Sequence, residues 1–336
     1  NVTNQPSISS VVNVTSLTVS SSADITVSSG SITVSGASDI DGTLNIASGA
    51  VYDADGTFDA TGGSVTFTGS GRLQMSNTVT SLGSFTRSSG TVEYDGGSQT
   101  VLGMSASSGS SYYNLEIDGS GTKTMAATSK VYGDLILTAG DFDIDGNTVY
   151  LKSDMTRTAG NLISTGSGSI TMDNSAAHNI CAFNDEDINL KATSTGGSVT
   201  TTGDITCKTI DLLSGSKTFL IAGQTINVED DIEVTAGTLQ ITSGVLNINA
   251  GGNEVLKIDG GTFDLDGGTV TVGNTSSGDL DMTDGTLDVS GGTLNIVDQL
   301  SSSSGSPIIT QSGGTINIKS YVGSGEGTTT ENKFDM

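Results

Sequence analysis

Three aspartates at alternate positions, Asp141, Asp143 and Asp145, run into Gly146 as D-x-D-x-D-G. That is the opening of an EF-hand-type loop, in which oxygens at every second position close around one calcium ion. The twelfth position of such a loop needs a bidentate glutamate, and here it is Lys152. Phe142 and Ile144 also alternate with the aspartates as they would in a plain strand. A second group of oxygen ligands follows Asn184 as Asp185, Glu186 and Asp187, and a third is Glu229, Asp230 and Asp231. Asp141, Asp143, Asp145, Asp185, Glu186 and Asp187 are therefore the candidate calcium ligands. No cofactor is required by this reading, and calcium is the one candidate.

Covalent and catalytic chemistry has less to draw on. Cys181 and Cys207 lie 26 residues apart, close to one winding of the repeat described below. Stacked on neighbouring windings they would stand about 5 Å apart, within disulfide range, and a bridge would suit an extracellular setting. The alternative is a pair of small buried thiols. A general base near neutral pKa, cations to grip a sugar acid and aromatic platforms are the usual equipment of polysaccharide-cleaving β-helices. The chain has one histidine, His178, arginines only at 72, 87 and 157, and no tryptophan. Close carboxylate pairs such as Asp143 with Asp145, or Asp230 with Asp231, are the ordinary surface of a strand rather than a catalytic dyad. The chain thus reads as no enzyme, with His178 in a loop. Asn1, Asn13 and Asn274 head N-x-S/T triplets and are candidate glycan sites.

The elements that position these residues are set by a repeat. Gly237, Gly261 and Gly285 lead GTLQI, GTFDL and GTLDV, while Gly244, Gly268 and Gly292 lead GVLNI, GTVTV and GTLNI; both sets return every 24 residues. A fixed period in this range marks a stacked-coil architecture, in which each repeat buries its apolar face only against the next. The runs SITV, SVTF, TLNI and TINI place alternate side chains inward, and no window carries the helical i, i+3, i+4, i+7 pattern. The fold class read from the residues is all-β: a parallel β-solenoid with coils of about 24 residues. About 14 coils spaced about 4.8 Å apart would extend about 65 Å. Residues 1–322 read as a single continuous solenoid, with looser loops near 103–111 and 173–188 where binding functions are commonly grafted. Residues 323–336 read as a polar C-terminal tail or exchanged arm.

Stacking has an electrostatic consequence. Asp264 and Asp288 differ by 24 positions, so regular coils set their carboxylates about 5 Å apart, a repulsion of about 1 kcal/mol in water. Thr-x-Thr pairs such as Thr66/Thr68 and Thr269/Thr271 raise an ice-binding reading, but the equivalent outward positions alternate among Thr, Asp, Asn and Gln.

The segments GTVEYDGGSQTVLG, YYNLEI, GDLILTAGDFDIDGNTVYL and GTLDVSGGTLNI resemble the repetitive passengers of large secreted bacterial surface proteins, the adhesin-like β-solenoids of autotransporter and gliding-bacterium type. The resemblance spans most of the chain, and its motifs are low in complexity. It implies a solenoid fold, a cell-surface location and a role in reaching, sticking, coating or assembling. It transfers no catalytic residue.

The formal net charge of −25 repels nucleic-acid phosphate and anionic membranes, and no run of 18 apolar residues is present to insert in a bilayer. The chain opens at Asn1, which fits either a removed signal peptide or a piece of a longer product. Neither terminus carries a capping helix or a charged blocking segment, and ISSVVNVTSLTVS near the N-terminus is apolar and β-prone. Uncapped solenoid ends invite pairing with another copy, and a head-to-tail contact that does not close propagates as a fibre. The expected function is a structural subunit of an extracellular filament or surface layer, with itself as partner. The alternative is a stalk or binding segment of a large adhesin, with cell-surface or glycan ligands.

Overall fold

Apolar residues at every second position become inward-facing ranks wherever the chain is described. The computed structural model describes residues 5–104, 110–249, 255–274, 277–302, 305–319 and 321–323. It is all-β, without a helix among the described residues, and its strands stack in parallel as a β-solenoid. Most strands are two to five residues long because a glycine, serine or aspartate corner follows each short apolar run. The chain divides into two compact units, Asn1–Gly166 and Ser167–Met336.

In the first unit the strand Thr43–Ile46 is flanked by Asp24–Val27 and Ser64–Phe67, with Leu44 opposite Ile25 and Val65. Parallel neighbours one winding away satisfy the backbone, and an in-register side-chain column forms across them. One column runs Ile32, Tyr52, Leu73, Val92, Leu115, Leu135 and Met155, each at most 1% exposed. Tyrosine is tolerated inside because its hydroxyl finds a partner: Tyr52 donates to Ser38 Oγ at 2.8 Å, and Tyr112 donates to the Leu102 carbonyl at 2.7 Å. Lys123 occupies an inward position beside Phe142 and is wholly buried. Its ammonium donates to the carbonyls of Gly96 at 2.8 Å and Ser120 at 2.7 Å, stapling two windings at a corner.

The second unit repeats the arrangement with the column Val199, Phe219, Leu239, Phe263 and Leu287. Two strands, Thr218–Val228 and Thr238–Ile248, extend to 11 residues and turn through bulged register near Ile221 and Ala222. Outward positions stack too. Asn247 donates from its amide to Asn227 Oδ1 at 2.9 Å, and Asn317 does the same to Asn295 at 2.9 Å.

Three expectations change. Coils recur about every 21 residues rather than 24; the 24-residue step belongs to Thr238, Thr262 and Thr286, whereas Ser64 pairs with Thr43, 21 positions back. Strand register is conserved while corner length varies, so a local period does not extend to the whole chain. The segment 173–188 is no projecting loop: it contains the strands His178–Ile180 and Phe183–Asn184. His178 is accordingly a buried strand residue, 1% exposed, and not a loop residue. In the other loop, 105–109 lies outside the described residues, and its flank is tied down where Met104 N donates to Ser129 Oγ at 3.1 Å. The tail beyond Gly323 also lies outside them.

Close winding makes some glycines obligatory. Gly160 has φ +72°, and a Cβ there would lie 1.8 Å from the Gly140 carbonyl oxygen one winding below. At Gly97 a Cβ would meet nothing within 4 Å. Gly160→Ala is expected to cost about 1–3 kcal/mol through strain and displacement of the winding, and Gly97→Ala less than about 0.5 kcal/mol, measured by urea denaturation. Equal effects would contradict the packing.

Candidate functional site

The aspartates 141–145 build a corner. Asp141 and Asp143 lie in the strand Asp141–Asp143, and Asp145 follows at φ +46°. Asp143 is buried, and its Oδ1 accepts the amides of Asp145 at 2.8 Å and Thr165 at 2.9 Å, while Oδ2 accepts the Thr165 hydroxyl. Asp141 Oδ1 accepts the backbone amide of Asn161 at 3.1 Å and its side-chain amide at 2.8 Å. An aspartate that accepts an amide two residues on shapes a turn, and that is the role filled here. Asp185 likewise accepts the Asp187 amide at 2.9 Å, with Glu186 and Asp187 exposed.

Among the described residues, three carboxylates converge within 4.8 Å at Glu93, Glu116 and Asp118 instead. Sequence reading missed them because Glu93 and Glu116 are 23 positions apart and stack only through the register of Thr91–Tyr94 with Asn114–Ile117. A cation of the chain's own sits there: Arg72 Nη1 pairs with Glu93 and, at 2.6 Å, with Glu116. Gln74 adds a bond to Glu93 at 3.0 Å and Thr138 one to Glu116 at 3.0 Å. Burial raises the Glu93 pKa despite Arg72. Arg72 braces Glu93 and Glu116 across three windings.

Asp264 does stand directly beside Asp288. Gln240 bridges Asp264 and Asp266, donating to each at 2.9 Å, and Thr310 donates to Asp288 at 2.8 Å. Burial, then Asp266 and Asp288, push the Asp264 carboxyl up, with the Gln240 bond opposing. Asp53 and Asp211 are raised for the same leading reason.

The remaining candidates fall apart in space. Cys181 and Cys207 are both buried and are not joined in a disulfide. Register sets Phe183 beside Ile205 and Asn184 beside Thr206, so Cys207 continues opposite position 185, four residues beyond Cys181. Burial, then Glu229 and Asp211, push the Cys207 thiol well up. Asn13 lies in the strand Val12–Val14, the triplet partners of Asn274 lie outside the described residues, and so does Asn1.

The first and last described windings carry the largest departure from a closed core. Ile8, Val12, Val14 and Leu17 are half-exposed, although each continues a column whose next member, such as Val27, Ile32 or Val34, is buried. Ile309, Ile316 and Ile318 are likewise half-exposed above Leu287, Leu294 and Ile296. Among the described residues, no strand pairs with the outer edge of Ile308–Gln311 or Thr315–Ile318. These surfaces can bury apolar area and satisfy backbone groups together. No family model, curated protein or solved structure matches this chain.

The raised carboxyls set the sign of the acid response. A folded-state pKa above the unfolded one means that the folded chain holds the proton more tightly, so stability is lost as pH rises through the raised value and is fully present below about 3.9, the ordinary aspartate value. Lowering pH from 7 towards the ordinary aspartate value, about 3.9, is expected to raise the melting temperature. Asp264→Asn is expected to gain about 0.5 kcal/mol at pH 7, a small figure because solvent screens a half-exposed group, and to shrink the acid gain. A melting temperature that falls over this range would contradict the assignment.

Proposed function

We propose that this chain is a structural subunit of an extracellular filament or surface layer and performs no catalytic step. The observation that supports the reading is the pair of half-exposed apolar ranks, Ile8, Val12, Val14 and Leu17 in the first described winding and Ile309, Ile316 and Ile318 in the last. Strand edges of this kind act as templates for another copy, and burying one aliphatic side chain fully is worth about 1.5–3 kcal/mol. Contact between unlike ends is heterologous and propagates. The net charge of −25 opposes approach of two copies until salt screens it. Under the second reading, a stalk of a large adhesin, the same ranks meet further windings of one polypeptide.

Electron microscopy of the purified chain separates the two. Threads are expected at an ionic strength of about 0.15 M, where the Debye length is about 8 Å, and fewer at 0.01 M, where it is about 30 Å. Ile316→Asp is expected to abolish threads while circular dichroism stays that of a β protein; isolated particles from the unaltered chain at every salt concentration would favour the stalk. We further propose that divalent ions gather diffusely on the carboxylate ranks. Millimolar calcium should then raise the melting temperature modestly, and indifference to calcium and chelator would reject this.

A further inference from the structure

One wall of the first unit is interrupted. The strands Leu17–Val19, Ser38–Ile40, Phe58–Asp59 and Val79–Ser81 form a four-stranded sheet that ends at Val79–Ser81, and a separate four-stranded sheet begins one winding later at Gln99–Val101 and continues through Thr122–Met125. A neighbouring ladder runs unbroken at this level, since Arg72–Met75 pairs in register with Thr91–Tyr94. Among the described residues, no strand pairs with either of the two edges at the interruption. A cleft of about 700 Å³ opens between them.

The direction of the backbone groups decides what is left open. Elsewhere the carbonyl of an inward strand residue accepts an amide of the next winding, as Val34 does from Asp55 at 3.0 Å and Ile46 from Thr68 at 3.0 Å. The carbonyls of Thr78 and Ser81 accept the amides of Phe58 and Ala60 in the preceding winding, at 2.9 and 3.0 Å, so Val79, next to Thr78, turns its N–H and C=O into the cleft. The Val101 carbonyl accepts the Ala126 amide of the following winding at 2.9 Å, so Thr100 turns its own N–H and C=O into the same space. The side chain of Gln99 closes one end of the break: Oε1 accepts the Gly96 amide at 2.8 Å, and Nε2 donates to the carbonyls of Met75 at 2.8 Å and Asn77 at 2.7 Å.

The hydroxyls of Ser98, Thr100, Thr122 and Thr124 line the cleft, and none is held by another described residue. The lining has no charged or aromatic side chain, and Val79 supplies its apolar patch. An edge of unpaired N–H and C=O groups is a template for an added strand, in which main-chain bonds give the affinity and flanking side chains the selectivity. A sugar has hydroxyls for such a lining, but it lacks the alternating donors and acceptors of a strand, and no aromatic platform is present to hold its C–H face. The net charge of −25 repels an acidic peptide and admits a neutral or basic one. We infer that this cleft binds an extended, neutral or basic peptide segment of a partner protein, which pairs its backbone with Val79 and Thr100 and sets small threonine, serine or valine side chains against the hydroxyls. The site uses neither terminal winding, so it holds or fails independently of the filament reading.

Fluorescence anisotropy of a labelled peptide, Lys-Thr-Val-Thr-Val-Thr-Lys, titrated with the full chain tests it. Saturable binding is expected, and the same peptide N-methylated at every second residue is expected to bind at least about tenfold more weakly, because each methyl removes a backbone donor. A Cβ at Gly97, which lines the cleft, meets nothing within 4 Å, so Gly97→Met keeps the fold while its side chain obstructs the cleft, and a loss of at least about tenfold is expected. Thr100→Pro removes an N–H that holds no winding, a change that an edge strand tolerates, and is expected to weaken binding several-fold. Gly215→Met, at an equally open glycine of the other unit, is expected to change nothing, and circular dichroism checks that every variant stays a β protein. The inference is overturned if the peptide does not bind saturably, if its N-methylated form binds as tightly, if binding survives Gly97→Met, if Gly215→Met weakens it equally, or if maltohexaose displaces the peptide.

Discussion

Every feature of this protein depends on the parallel hydrogen bonding of one winding to the next in strict register. Because residue Leu44 lies opposite both Ile25 and Val65, like positions meet like positions, and the chemistry of one winding is multiplied along the stack. Apolar ranks become a continuous core in each unit. Amides become ladders, as at Asn227 with Asn247. Carboxylates become columns of like charge, as at Asp264 with Asp288.

The last consequence is a liability, and the structure shows how it is contained. Neutral donors are interleaved with the acids, so that Gln240 serves Asp264 and Asp266 while Thr310 serves Asp288. Where two glutamates are pressed into a more buried position, Arg72 bridges them. Burial, and after it residual repulsion, still raise the proton affinity of several carboxyls. The same interleaving explains why the aspartates at 141–145 resemble a calcium loop in type and spacing: they accept amides from their own corner and the next winding, using the oxygens that a metal would use.

Locally periodic stretches are where the sequence was most readable. Between 237 and 296 the 24-residue glycine spacing is also the winding length, so the juxtaposition of Asp264 and Asp288 follows from counting. Outside that stretch corners lengthen and shorten, and counting fails. Cys181 and Cys207 are separated by nearly one winding in number but fall four positions out of register, because the local step from Phe183 to Ile205 is 22. The polar run around His178 looks like a loop, yet it contributes two strands and buries His178 and Phe183, since a half-apolar strand of two or three residues carries too few positions to show a period.

Alternation of side chains, glycine at the corners and the lack of helical periodicity were enough to establish an all-β solenoid and the outward or inward sense of most strand residues, because those are properties of neighbours along the chain. Which distant residues share a face belonged to the tertiary structure alone. Arg72 meets Glu116 across 44 positions, and Arg87 lies on Tyr132 across 45. Such encounters are set by summed corner lengths, and a single added residue in one corner would change the partner without altering any local pattern.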